Sequence, residues 1–231
     1  MAKSDDALIA RLGALPVAIV SDVLRYAGTP HQVLHHSIQA LGPMSGRSVA
    51  GPVFCVRGER LLGGVVPKNL RPDMFRRMPA NSVIVMAANG YEDAVVIGEN
   101  IALSLKVRGC KAVVTDGGIR DRDAIVEMGM PVFTRFVSPL SSGQQWVTVE
   151  LDAPVTLPGQ ATAHVTIKPG DFALGDGDGV VIVPGRGLTT VVEDSEKVLE
   201  IEQRTRERLL AGGDPEAVYA EFPRFDHVRK I

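Results

Sequence analysis

Between Ile97 and Asp123 the chain twice runs from a short apolar stretch through glycine into the start of a helix. The first passage is Ile97-Gly98-Glu99-Asn100. The second is Asp116-Gly117-Gly118-Ile119-Arg120-Asp121. Two strand-to-helix turns this close in sequence place both turns on one edge of a sheet. This commits the chain to an α/β arrangement, in which ligands bind outside the carboxyl ends of the strands.

The flanking segments fit that frame. Ser4 followed by Asp5 and Asp6 predicts a capped helix start, and a second helix is expected over Val17 to Tyr26, stopped by Gly28. Val49 to Val56 reads as a strand, and Lys68 to Met78 as a short helix broken by or starting from Pro72. Ser82 to Ala87 and Ala112 to Thr115 are apolar runs bounded by turn residues, as buried strands are. Gly98 to Arg108 and Asp121 to Met128 read as helices stopped by Gly109 and Gly129, and Pro131 to Phe136 reads as a strand. From Trp146 to Pro184 short alternating strands are separated by Pro-Gly and Asp-Gly turns, which predicts a β-rich second half. Thr189 to Ala211 is a long charged helix, and a short one follows near Pro215 to Glu221. No linker divides the chain, so one domain over residues 1–231 is expected.

Composition narrows the function classes. The chain is 45% hydrophobic and 23% charged with a formal net charge of -2, and its lysines and arginines are scattered. Nothing in it would track a phosphate backbone, so no nucleic-acid partner is expected. No apolar run approaches the length of about eighteen residues that a membrane span needs, and the acidic start Met1-Ala2-Lys3-Ser4-Asp5-Asp6 is unlike a signal peptide. A cytoplasmic location is expected. Cys55 and Cys110 each sit within an apolar run and lack metal-ligand spacing, so both read as core residues of a reducing compartment.

The two turns carry specific chemistry. Gly98 permits close approach to the backbone. The amides of Glu99, Asn100 and Ile101 stand at a helix N-terminus, where unpaired donors and the helix dipole bind carboxylates. Gly117 and Gly118 read as a second tight turn. Arg120 offers a planar donor fork for a carboxylate or enolate oxygen. Asp121 offers a hard oxygen ligand for Mg²⁺ or Mn²⁺, and Glu99 can orient a water or act as a base. Taken singly, Glu99 is an acid favourable to a helix dipole, and Arg120 with Asp121 is an exposed ion pair, Asp121 capping a helix. It is the combination that points to a site for a small anion.

Glu99, twenty intervening residues and then Arg120-Asp121 resembles the acid-x20-Arg-Asp signature of the RraA-like proteins and the 4-hydroxy-4-methyl-2-oxoglutarate / 4-carboxy-4-hydroxy-2-oxoadipate aldolases. The flanks are similar too: Gly98 to Ala102, Gly109 to Gly117, Ser21-Asp22-Val23-Leu24, Gly170-Asp171, and Asp178 to Pro184. The likeness runs from about Pro16 to Gly212. It implies a swivelling α/β/β sandwich, assembled as a homotrimer or homohexamer with sites at subunit boundaries. It implies that the backbone of Gly98, Glu99, Asn100 and Ile101 and the Arg120 side chain hold the pyruvoyl part of a 2-oxo acid. It further implies that Asp121 anchors the divalent metal largely through waters, and hints that an acid of the C-terminal helix, such as Glu202, reaches a neighbour's metal site.

The chain departs from the family pattern twice. The signature acid is often Asp and is Glu99 here. The strand preceded by Met78-Pro79-Ala80-Asn81 commonly ends in Asp and ends here in Met86, which bears on the far side of the pocket. The resemblance implies metal-dependent cleavage of a 4-hydroxy-2-oxo acid to pyruvate, with decarboxylation of oxaloacetate as a second activity and no Schiff-base lysine. Its rival is a non-catalytic role, since some RraA-like proteins restrain RNA-degrading machinery. A methyltransferase is disfavoured because no GxGxxG-like loop follows a first strand. Asp176-Gly177-Asp178-Gly179 reads as a hairpin turn rather than a calcium loop, His35-His36 as a surface pair, and Glu193, Glu196, Glu200 and Glu202 as a mostly solvated face.

Overall fold

The computed structural model describes residues 3–231 other than 45, 64, 65 and 144, with side chains from residue 6 onward. The elements in order are α1 (Lys3–Leu12), α2 (Val17–Tyr26), β1 (Gln39–Ala40), β2 (Val49–Arg60), α3 (Arg71–Arg77), β3 (Val83–Ala87), β4 (Val95–Ile97), α4 (Glu99–Lys106), β5 (Ala112–Thr115), β6 (Gly118–Ile119), α5 (Arg122–Glu127), β7 (Val132–Thr134) and β8 (Phe136–Val137). Then come β9 (Trp146–Leu151), β10 (Val155–Pro158), β11 (His164–Ile167), β12 (Phe172–Asp176), β13 (Gly179–Val183), α6 (Leu188–Leu210) and α7 (Pro215–Glu221). Ser4 lies within α1, and its side chain, expected to cap the helix, lies outside what is described.

The core is an eight-stranded mixed sheet in the order β1-β7-β5-β3-β2-β12-β13, with β9 pairing the distal half of β2. The steps β7-β5-β3-β2 are parallel and the outer pairings antiparallel. β3 is buried at all five positions because both faces are covered. Ile84 and Met86 face a layer formed by α3, α4 and α5, while Val83, Val85 and Ala87 face the opposite side, covered by the β10-β11 hairpin. This explains why the segment reads as a continuous apolar run and not as an alternation. A third cluster packs α1, α2 and α6 on β12 and β13 through Leu12, Val20, Leu24, Val181, Val183 and Val191.

Several expectations are met at the residue level. α2, β5 and α7 have the expected bounds, and β12 and β13 form a hairpin across Gly177-Asp178. Cys55 and Cys110 are buried, and burial pushes their thiols up to about 12 and about 11. No single helix among the described residues is long and apolar enough to cross a membrane. The side chains of Glu193, Glu196, Glu200 and Glu202 on α6 are 30–62% exposed, as expected of a solvated face, and they are also paired. Glu196 pairs with Arg11 of α1, Glu202 with Arg224 and Glu193 with Arg229, so three of them tie down other segments.

Candidate functional site

The two strand-to-helix turns do meet, but not on the main sheet. β4, β6 and β8 form a separate three-stranded parallel sheet, with Val95 opposite Gly118 and Ile97 opposite Ile119. The Arg120 amide donates to the Ile97 carbonyl at 3.0 Å, carrying the pairing one residue past the strand ends. Gly98 and Arg120 therefore stand side by side where both strands finish.

Glycine at 98 is a matter of space, since its backbone is extended at φ -131° and ψ -179°. A Cβ there would lie 2.8 Å from Asp121 Oδ2 and 2.9 Å from Arg120 Nε, so the bare backbone receives both side chains. The turn expected over Gly117 and Gly118 is a bend at Asp116 and Gly117 only. Gly118 lies in β6, where a Cβ would overlap the Phe136 ring at 2.2 Å, and Gly117 lies under Ala88. The left-handed backbone falls on Asp121, at φ 60° and ψ 40°. A left-handed non-glycine residue costs about 1–3 kcal/mol and persists where the surroundings hold it.

Asp121 caps the other helix. Its side chain makes no hydrogen bond at the start of α5, and its Oδ2 instead accepts from the Glu99 amide of α4 at 3.0 Å. The same oxygen lies 3.4 Å from Arg120 Nε. Two of the three expected free amides are thus engaged: Glu99 by Asp121, and Ile101 by the Gly98 carbonyl at 3.1 Å. Asn100 keeps an unpaired amide among the described residues. The Arg120 and Asp121 side chains are 43% and 39% exposed, so the pair is wet and accessible rather than sealed.

These residues line a pocket of about 220 Å³. Glu99, Asn100 and Ile101 form one wall, and two elements not anticipated from the sequence form the rest. One is Arg71, the first residue of α3. Burial lowers its guanidinium pKa, and no acid pairs with it among the described residues. The other is the rim Ser141-Ser142-Gly143, fastened to β4 by the Ser142 amide donating to the Val95 carbonyl at 3.2 Å. The sequence signals for both were weak: a helix start at Asn69-Leu70-Arg71-Pro72, and a Ser-Ser-Gly turn.

Other candidates lie elsewhere. Met86 is 2% exposed within the core, so the far wall of the pocket is Arg71 and the serine rim, not the end of β3. Asp116 is turned away, its Oδ1 accepting from the Ala88 amide at 2.6 Å, and burial raises its pKa. Lys68, Lys106 and Lys111 do not line the pocket; Lys68 pairs with Asp73 and Lys106 reaches the Met128 carbonyl. Glu202 pairs with Arg224 at 2.9 Å beside a different groove, near Thr205 and Tyr219. The His35 and His36 rings lie 4.1 Å apart, tilted by 35°, with His36 bonded to Gln160.

No group of three His, Cys, Asp or Glu side chains able to chelate an ion occurs among the described residues. The pocket offers two carboxylates, Glu99 and Asp121, the latter with Oδ1 free of hydrogen bonds among the described residues. That donor set fits an ion that keeps most of its waters, as Mg²⁺ does.

Fold and site together define a mixed α/β protein with a C-terminal helix and a pocket lined by Arg71, Arg120, Asp121 and Glu99 at the mouth of two parallel strands. The RraA-like family model (Aldolase/RraA) matches residues 17–182, and the chain belongs to that family. The match contains every pocket residue and stops before Glu202. An uncharacterised protein of Methanocaldococcus jannaschii is 33% identical over 130 residues, 56% of this chain and 59% of that protein, so the chain spans about three fifths of that relative's length. A protein of Halalkalibacterium halodurans named "Putative 4-hydroxy-4-methyl-2-oxoglutarate aldolase" is 25% identical across 91% of this chain and 92% of its own. The crystal structure of an uncharacterised protein from Pseudomonas syringae pv. tomato superposes with a TM-score of 0.81 at 25% identity, covering 96% of this chain and 95% of the other.

Proposed function

We propose that the chain is a divalent-metal-dependent aldolase that cleaves a 4-hydroxy-2-oxo acid, such as 4-hydroxy-4-methyl-2-oxoglutarate or 4-carboxy-4-hydroxy-2-oxoadipate, to pyruvate and a second oxo acid. The observation that carries this reading is the meeting of Arg120 and Asp121 over Gly98, beside the unpaired Asn100 amide. Membership of a family with relatives named as aldolases supports it.

The residues take the following roles. Arg120 donates to the carboxylate and keto oxygen of the 2-oxo acid, the Asn100 amide adds a donor, and Gly98 leaves room for Arg120 and Asp121 to meet over its backbone. Asp121, through its free oxygen, would hold Mg²⁺ or Mn²⁺ largely through waters. When bound, the ion would supply Lewis acidity to those same substrate oxygens. Glu99 is exposed and makes no ion pair among the described residues. Through a water it takes the proton of the 4-hydroxyl, and the C4 oxygen becomes a carbonyl. The C3–C4 bond breaks, its electron pair passes into the 2-oxo group as pyruvate enolate, and Arg120 stabilises the charge. The proton held at Glu99 returns to C3. Loss of CO₂ from oxaloacetate gives the same enolate, so decarboxylation is a second activity.

Trimeric or hexameric assembly is part of the proposal, with Glu202 of one protomer completing a neighbour's site. Sedimentation velocity should return a species of three or six chains.

The test is pyruvate release from 4-hydroxy-4-methyl-2-oxoglutarate, coupled to lactate dehydrogenase. Activity should vanish in EDTA and return with Mg²⁺ or Mn²⁺. Full activity in EDTA would remove the metal from the account. Absence of pyruvate from both named substrates would remove the aldolase, and would favour a regulatory role acting on RNA-degrading machinery.

A further inference from the structure

Arg71 is held at the pocket by its own element. The Leu70 amide donates to the Thr148 carbonyl of β9 at 2.8 Å, and the Arg71 amide donates to Asn69 Oδ1 at 3.0 Å. Pro72 follows at the start of α3, where a fixed φ is pre-organised for a helix. The nearest acid in sequence, Asp73, is already committed to Lys68 at 3.4 Å and to Arg76. Arg71 therefore brings a half-buried positive charge to the pocket, and no acid among the described residues forms an ion pair with it.

The charged side chains lining the pocket are Arg71, Arg120, Glu99 and Asp121, which cancel. A divalent ion at Asp121 would leave an excess of two positive charges, which matches a dianion and not a monoanion. Arg120 and Asp121 stand together at the Gly98 end, while Arg71 enters from α3, a separate element. The two guanidinium groups thus address the ligand from different walls.

We propose that Arg71 is a specificity-determining residue, which binds the remote carboxylate of a dicarboxylic 2-oxo acid whose first carboxylate lies at Arg120. This rests on the reading of the pocket as a 2-oxo acid site. A planar guanidinium suits a carboxylate because it can donate two parallel hydrogen bonds. Its partial burial strengthens the preference, because a partly desolvated cation gains more from a counter-charge than an exposed one does.

Binding tests this independently of turnover. 2-Oxoglutarate and 2-oxopentanoate have the same chain length and differ in the remote carboxylate. With Mg²⁺ present, calorimetric titration of the whole protein should show 2-oxoglutarate binding about tenfold or more tightly than 2-oxopentanoate. Arg71→Gln should remove that preference, weakening 2-oxoglutarate about tenfold while leaving 2-oxopentanoate within about twofold. Arg71→Lys should restore part of it, as a point charge without the fork. Equal weakening of both ligands, an unchanged preference in Arg71→Gln, or no preference in the native protein would each overturn the assignment. A preserved preference without pyruvate release would sink the aldolase reading and leave Arg71 in its role. Pyruvate release that keeps its preference for dicarboxylic over monocarboxylic substrates in Arg71→Gln would do the reverse.

Discussion

One methyl group at position 98 would stand 2.8 Å from Asp121 Oδ2 and 2.9 Å from Arg120 Nε. Gly98→Ala needs no change of backbone conformation, so the fold should survive. The two side chains must move apart, and the pocket should lose most of its affinity for a 2-oxo acid. The expected result is a thermal midpoint within about 2 °C of the native protein with pyruvate release reduced at least tenfold. Arg120→Ala removes a donor to the developing enolate and should lower kcat by about 100-fold or more. Arg120→Lys should recover little of that, because an ammonium cannot reproduce the fork. Asp121→Asn should keep the left-handed turn, which asparagine tolerates, and should keep the contact to the Glu99 amide, while removing the charge proposed to hold the ion. Differential scanning fluorimetry beside the coupled assay separates these effects. Glu99, Arg120 and Asp121 were legible as a set because each stands at a fixed step after a glycine. The contact between them was not: nothing in the spacing says that Asp121 would cap α4 rather than α5. Arg71 was missed because it is 27 residues from Gly98 and only the tertiary fold brings it to the same cavity.

At the scale of elements, the strongest internal constraint is where β9 crosses the distal half of β2. The ladder shifts register between Arg57 and Gly58, and a Cβ at Gly58 would sit 1.9 Å from the ring of Trp146, which is 1% exposed. Trp146 Nε1 also donates to the Ala88 carbonyl at 3.3 Å, so the indole cannot step aside without losing a buried hydrogen bond. Gly58→Ala should cost about 1–3 kcal/mol, measured as a fall in the urea midpoint at unchanged slope. Long periodic elements such as α2 and α6 were read nearly to the residue, as were buried runs such as β5. The β4-β6-β8 sheet was not read as a unit, because strands of two or three residues carry no periodicity. The expected strand from Pro131 to Phe136 is two strands, β7 in the main sheet and β8 in the small one, parting at Arg135. β2 runs four residues past its expected end because the extension is sustained by β9, a partner some ninety residues away.

For the molecule as a whole, the last residues act as a strap. Asp194 of α6 has a fully buried side chain and accepts from the Arg229 amide at 2.9 Å and from its guanidinium at 3.0 Å. Ile231 packs on Gly187, and its amide donates to the Ala27 carbonyl at 3.2 Å. Burial by itself would raise the Asp194 pKa, but the Arg229 hydrogen bonds and charge together outweigh it and hold the carboxyl below its ordinary value, about 3.9. A carboxylate with a lowered folded pKa contributes stability that is complete above the unfolded value and is lost as pH falls through the folded one. The native protein should therefore lose stability as pH drops below about 4. Arg229→Ala should lower the thermal midpoint at neutral pH and converge with the native protein toward about pH 2. A gap that stays constant over that range would mean that the strap is held by Ile231 and its neighbours, not by charge. The acids of α6 were visible in the sequence as a run, but their partners lie on α1 and on the tail, and no local pattern pairs them.

The account turns on a single small 2-oxo acid seated where β4 and β6 end. A crystal structure of the protein soaked with Mg²⁺ and oxalate, which mimics pyruvate enolate, measures that directly. Density for oxalate should lie against the Arg120 guanidinium and the Asn100 amide, with the ion beside Asp121 Oδ1. Oxalate seated away from Arg120, or a pocket left empty at saturating ligand while the ion binds elsewhere, would contradict it.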